Sequence, residues 1–305
     1  MTRRVPQQLA RLLKSRLNRF IRNIDGVERG DIEPVHRVRV ASRRMRELIP
    51  VLQIDSTTTR KLVRRLRKVT RRLGVVRDHD VLLLLIDELN VSRPVHQVAL
   101  RRVRAEVAAE RDAARKRLRN RLSTASLQRL GRKLNRVCDD LRERSSDDAS
   151  DDGRPVAWAI DARIARRATA LHDAMNVAGA VYLPERLHDV RIASKKLRYA
   201  LELAEQIRGT RNTPPVRALK RVQGLLGRVH DVQVLIERVR EAQAGLAPAS
   251  LLAWRELNDL VASLEDMCRR LHARYVRERA TVEALIRRRN VAAAGVRARA
   301  ERKAG

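Results

Sequence analysis

Residues 36–47 read HRVRVASRRMRE, and residues 188–199 read HDVRIASKKLRY. The two blocks keep His, Val, Arg, Ala and Ser in register and exchange Val for Ile, Arg for Lys and Met for Leu. Imidazole, guanidinium and ammonium groups are the side chains that hold anions. Arg offers a planar fork that matches two phosphate oxygens, and Lys adds a mobile point charge. At helical spacing His36, Arg39, Arg43 and Arg46 share one face, while Val38, Ala41, Met45, Leu48 and Leu52 share the opposite one. His188, Arg191, Lys195 and Arg198 repeat the polar stripe, and Val190, Ala193, Leu197 and Ala204 repeat the apolar one. Each block is expected to bury one side and present a cationic rail about 15 Å long on the other.

An isolated basic run is ordinarily only a solvated face. Here the arrangement occurs twice, each time opposite an apolar stripe, so a bound anion is the favoured reading. His36 and His188 open the rails. Each shares its face with three cations, which disfavours the imidazolium unless an anion is bound. Direct phosphate contact and a structural hydrogen-bonding role both stay open for them.

The elements that position these residues read as helices throughout. Leu9, Leu12, Leu13, Leu17 and Phe20 mark a first helix, and Asp25-Gly26 and Gly30-Asp31 mark a turn after it. The first rail helix is expected over residues 32–54, with Pro34 in its first turn. Residues 55–59 form a polar turn rich in N-cap types. A helix over 60–74 carries the stripe Leu62, Leu66, Val69 and Leu73, with Gly74 as its stop. Residues 60–77 hold nine basic residues and no acid. Asp78 and Asp80 then fall near the start of a further apolar helix, where capping and the helix dipole favour a carboxylate. Helices follow over 94–122 and 127–144.

The stretch 145–153, SSDDASDDG, reads as an acidic linker. The pattern then restarts, with helices over 154–176, 184–208, 214–226 and 248–289. Gly227 to Val234 parallels Gly74 to Val81, with Asp231 as the matching cap. The offset is 152 residues from His36 to His188 and 153 from Gly74 to Gly227. A tandem duplication is expected, giving an all-α fold of two pseudo-symmetric helical bundles: residues 1–144 and 154–290, then a fraying basic tail over 291–305.

Lys and Arg total 68 against 36 Asp and Glu among 305 residues, a net charge of +32. Such an excess selects polyanion partners: nucleic acid, an anionic membrane surface or phosphate chains. Aromatics make up only 2%, which leaves little for base stacking. Cys138 and Cys268 form no metal spacing and suggest no disulfide scaffold, so a reducing cytoplasm is expected. No apolar run approaches membrane-spanning length. The Arg-rich start reads as an amphipathic helix rather than a leader. Arg77 to Asp80, RDHD, and His230-Asp231 invite a metal-hydrolase reading, but His-Asp pairs alone are weak signals and no HExxH or clustered His set appears. No catalytic residue, metal or cofactor is expected.

The paired blocks, with RRLGVVRDHDV and GRVHDVQV after them, resemble the CHAD family, named for a conserved histidine in an α-helical domain. The resemblance spans nearly the whole chain as one CHAD domain. It implies a bundle of long helices with a basic central surface that binds inorganic polyphosphate without catalysis. The motif positions it carries over are His36, Arg39, Arg43, Arg44 and Arg46, with His188, Arg191, Lys195, Lys196 and Arg198. Arg67, Lys68, Lys220 and Arg221 on the following helices join by position. Arg77 against His230, and Asp80 against Gln233, break the symmetry. The two rails and their partner helices are expected to meet in one groove or pore, and the protein to act in the cytoplasm, on or near polyphosphate granules. The alternatives are a nonspecific nucleic-acid binder, a His/Asp metal-dependent phosphohydrolase and a granule or membrane coat protein.

Overall fold

The chain is described from a computed structural model, covering residues 5–147, 154–246 and 250–304. Among these, all regular elements are helical. In order they are α1 (Val5–Ile21), α2 (Ile24–Arg29), α3 (Ile32–Leu48), α4 (Ser56–Ser92), α5 (Gln97–Arg121), α6 (Thr124–Asp147), α7 (Arg154–Ala178), α8 (Pro184–Arg208), α9 (Pro214–Ala244) and α10 (Leu251–Ala304). No helix of the described residues is long and apolar enough to cross a membrane.

Two compact units form. The first takes Met1–Ala159 and Arg238–Leu260, and the second takes Ile160–Glu237 and Val261–Gly305. Their boundaries fall inside α7, α9 and α10, elsewhere than the contiguous halves read from the sequence. Most of the acidic stretch, residues 148–153, lies outside the described residues.

In the first unit α6 packs on α1, α1 on α3, α3 on α4, and α4 on α5. The predicted stripes make the core: Leu13, Leu17 and Phe20 from α1, Val38, Met45 and Leu48 from α3, and Leu66 and Leu73 from α4 are all fully buried. In the second unit Ala168, Leu201, Leu219 and Val282, from α7, α8, α9 and α10, meet around one small void. Both cores are mainly aliphatic, with one fully buried ring in each, Phe20 and Tyr275, so their stability rests mostly on burial of branched side chains, at about 25 cal/mol per Å2 of apolar surface. Cys138 and Cys268 are buried and unbonded.

Several boundaries differ from the sequence reading. Gly74 does not stop a helix. It sits in the middle of α4, which runs unbroken from Ser56 to Ser92. The reason is visible in the stripe: Leu62, Leu66, Val69, Leu73, Val76 and Asp80 are all buried at alternating spacings of four and three, in phase through the glycine. The burial that this face gains outweighs the roughly 1 kcal/mol that a helical glycine costs. Asp78, Asp80 and Asp231 are consequently mid-helix residues and not N-caps. α9 likewise continues through Gly227 to Ala244. A short helix, α2, occupies the turn after α1. α10 is unbroken and reaches Ala304, so the expected frayed tail is helical.

The real caps are elsewhere. Asp55 accepts hydrogen bonds from Thr57 N at 2.7 Å and Thr58 N at 2.8 Å and starts α4. Glu205, a buried acid on α8, accepts one from Thr213 N at 2.6 Å just before α9. Asp80 is only 2% exposed, and its Oδ1 accepts from Arg111 Nε at 2.6 Å, tying α4 to α5. At the matching position in α9, Gln233 donates to the Tyr182 hydroxyl at 3.0 Å. The Asp80/Gln233 difference is thus a difference of partner: a buried ion pair in the first unit, a part-buried neutral hydrogen bond in the second.

Two expectations follow. Gly74→Ala should stabilise the protein by about 0.5–1 kcal/mol, because its backbone is helical and the new methyl meets only ordinary contacts. Gly209→Ala should destabilise it by about 1 kcal/mol or more, because Gly209 closes α8 at φ +70°. Urea melts measure both, and a Gly74→Ala loss would restore the helix-stop reading. Arg111→Met should cost about 3–5 kcal/mol by stranding the buried Asp80 carboxylate. Arg104→Ala, which breaks a half-exposed pair with Asp87, should cost under about 1 kcal/mol. Equal costs for the two would remove the special role of Asp80.

Candidate phosphate-binding faces

α3 and α8 each carry a rail, in the first and second unit respectively. On α3 the side chains of His36, Arg39, Arg43 and Arg46 are half-buried, opposite a stripe in which Val38, Ala41, Met45 and Leu48 are buried. On α8 His188, Arg191, Lys195 and Arg198 hold the same places. The sequence-derived faces are therefore present in both units.

Their environments differ residue by residue. Arg39 lies over Gly74: a Cβ there would sit 3.6 Å from Arg39 Nε. An added methyl at Gly74 would touch the guanidinium at ordinary van der Waals distance. Arg39 Nη2 is 3.8 Å from Asp78 Oδ1, a long contact that leaves Asp78 largely exposed. Arg39 Nε is buried and makes no hydrogen bond, so this fork keeps donor capacity. Arg198 is engaged already. It donates to Gln223 Oε1 at 2.7 Å and to Glu202 Oε1 at 2.6 Å, and lies 4.8 Å from the centre of the Tyr199 ring. It is a tether between α8 and α9 before it is a ligand contact.

Arg44 and Lys196 share another feature. Their backbone carbonyls accept from Arg16 Nη1 at 2.8 Å and Arg167 Nη1 at 2.6 Å. A helical wheel sets each about 80° round from its motif histidine, off the centre of the rail. Ser42 and Ser194, invariant between the blocks, are fully buried. They are small packing residues, and Ser194 Oγ donates to Arg191 O at 3.0 Å.

The motif histidines each meet a group on the following helix. His36 feels the charge of Arg77, and the His188 ring meets His230 in a tilted contact with ring centres 4.8 Å apart. Burial, first, then neighbouring cations hold His36 and His188 below the usual 6.5. The same causes, burial ahead of Arg191, His188 and Lys195, push His230 down to about 4. The Arg77/His230 asymmetry thus gives the first unit a permanent charge where the second has a titratable one.

The residues of RDHD diverge. Asp78 faces Arg39, Asp80 holds Arg111, and the His79 ring lies between Val75 O (2.7 Å) and Glu110 Oε2 (3.1 Å). Among the described residues no group of three or more His, Cys, Asp or Glu is placed to hold a metal ion.

The following helices do not contribute as one face. Arg67 and Lys68 are both exposed on different sides of α4. Lys68 lines a groove toward α6 together with Arg65 and Arg72. In the second unit Lys220 Nζ donates to Asn212 Oδ1 at 3.4 Å, and Arg221 Nε pairs with Glu278 at 3.0 Å.

One part of the first unit's site escaped the sequence reading. Beside His36 a groove of about 890 Å3 opens between α1 and α3, within the usual size of a ligand cleft. Arg11, Lys14, Arg19 and Arg22 of α1 line it with Arg37 and Arg142, and Glu33 is its single acid. The signal was available: residues 1–24 contain no acid. Periodicity marks that stretch as an amphipathic first helix and by itself assigns none of its cations to the rail. The groove extends the cationic face of the first unit beyond α3. Its lining is dominated by cationic donors, which suits an extended anion.

Comparison with known proteins agrees with this architecture. The family model described as "CHAD domain" matches residues 11–240. The CHAD domain from the plant Ricinus communis, known as a crystal structure, aligns with a TM-score of 0.59 and 21% identity, covering 92% of both chains. PptA from Streptomyces chartreusis aligns with a TM-score of 0.55 and 18% identity, over 90% of this chain and 99% of that one. A search of curated proteins finds no match. With a family model matching most of its length, and with the helical fold of its solved relative, the chain belongs to the CHAD domain family.

Proposed function

We propose that this protein binds inorganic polyphosphate through the cationic faces of α3 and α8, as a module without catalysis of its own. The observation that carries the reading is the groove beside His36, where six Lys and Arg side chains meet one acid. Family membership supports the same ligand. An extended chain of closely spaced phosphates relieves the repulsion among these cations and engages several forks at once. Retention on polyphosphate granules in the cytoplasm is the role that follows from such binding.

Binding should weaken linearly with log salt concentration, because rail cations replace counterions. Pyrophosphate and triphosphate, which span only part of a 15 Å rail, should bind far more weakly than long chains. The decisive variants are Arg39→Glu with Arg43→Glu, and Arg191→Glu with Lys195→Glu. Two lost charge-assisted contacts at about 1.5 kcal/mol or more each predict a weakening of at least roughly 100-fold for that rail, with helicity retained by circular dichroism. Calorimetry with long-chain polyphosphate, and with duplex DNA as competitor, measures this. Unchanged affinity and capacity in both double variants would take the rails out of the site, and preferential binding of DNA would favour a nucleic-acid binder.

The histidines set a pH dependence. Free imidazoles held below 6.5 are neutral at pH 7, and a bound anion favours the protonated form. Binding therefore takes up protons, and affinity should rise as pH falls from 7 to 5. The ligand-free protein should move the other way. Its unfolded His230 titrates at 6.5 and its folded one at about 4, so stability is lost as pH drops through that window. Affinity independent of pH between 8 and 5 would place the histidines away from the chain.

A further inference from the structure

Residues of α4 and α6 line a common groove of about 510 Å3. Its floor is apolar, built from the buried Val69, Leu122 and Leu130. Its α4 wall is the row that holds Lys68. Its α6 wall carries Arg129, Arg132, Lys133 and Arg136. Each row spans about 10 Å of helix, so the walls face each other over matching lengths.

No acid lines this groove. Among the described residues none of its seven cations pairs with a carboxylate; Arg72 donates to the Arg121 carbonyl and Arg129 to that of Ala125. Their mutual repulsion is a standing cost that an anion would remove. The groove is also distinct from the rail. Lys68 lies about 120° around α4 from Gly74, the position that Arg39 covers. The second unit supplies an internal contrast. Arg221, 153 residues after Lys68, lines a groove with Arg274 and Arg277, but Glu278 lies in it and pairs with Arg221.

We propose that the α4/α6 groove is a second, separate attachment point for a phosphate chain, specific to the first unit. Its Arg forks grip consecutive phosphates while the rail holds another stretch of the chain or another chain. This inference rests on the polyphosphate reading above. It gives the protein a way to hold one long chain at two places, which raises avidity without any new contact at the rail.

Calorimetry with a short-chain polyphosphate should resolve two classes of site in the wild-type protein. Arg65→Gln, Arg129→Gln and Arg136→Gln together should delete one class, leave the rail class intact and reduce the overall log–log salt slope by roughly two to three. A footprint with an amine-reactive reagent gives a second readout that needs no groove variant. Phosphate chain should protect Lys68 and Lys133, both in the wild type and in the Arg39→Glu, Arg43→Glu rail variant. Wild-type capacity in the triple variant, or full reactivity of both lysines with chain bound, overturns the groove and leaves the rail reading standing. Protection that vanishes with the rail variant also overturns it, since the groove would then have no affinity of its own. Protection by duplex DNA but not by polyphosphate overturns it in favour of nucleic acid. A wild-type protein that takes up no phosphate chain overturns both readings.

Discussion

The helices of this protein bury aliphatic stripes in a chain that carries nearly twice as many cations as acids. The excess of 32 positive charges cannot be paired internally. Aliphatic burial is not weakened by this, because it is non-directional and insensitive to charge on the far side of the helix. The cations are driven to the remaining faces and crowd there. Where acids do occur near them, they hold geometry: Glu202 fixes Arg198, Glu278 fixes Arg221, and Asp87 fixes Arg104. The faces left without acids are the ones that a polyanion can occupy.

The few buried polar groups decide orientation rather than bulk stability. Asp80 occupies a core position of α4 and forces Arg111 of α5 to turn inward. Such a pair gives little net energy over an apolar one, but it allows one register only, since any other leaves a buried charge alone. In the second unit the part-buried Gln233 makes the matching link to Tyr182 with neutral groups. Glu110 takes contacts from both His79 and Arg238, joining α4 to the end of α9 that belongs to the first unit.

The two motif copies show how one sequence pattern yields two chemical environments. Both place a histidine at the head of a cationic rail and a small buried serine beneath it. What faces the histidine differs. Arg77 gives His36 a fixed positive neighbour, and His230 gives His188 a partner that is neutral near pH 7. Arg39 keeps a free Nε over Gly74, while Arg198 spends its donors on Gln223 and Glu202. Rail position alone therefore does not make a ligand contact.

The sequence by itself determined the all-helical class, the apolar stripes, the rail faces and the family, because each of these depends on periodicity along one helix. Val38, Ala41, Met45 and Leu48 had to be buried together, and His36, Arg39, Arg43 and Arg46 had to lie opposite. It also held the continuity of α4, in the unbroken spacing from Leu62 to Asp80, although Gly74 obscured it. What lay beyond one helix was decided by the tertiary structure. The α1 cations line the groove beside His36 because α1 packs on α3, and Lys68 shares a groove with Arg129, Arg132, Lys133 and Arg136 because the fold brings α6 alongside α4. Asp80 became a core ion and not a cap because Arg111 reached it from another helix. Such partners are set by which faces meet in space, and no spacing within a single segment records that.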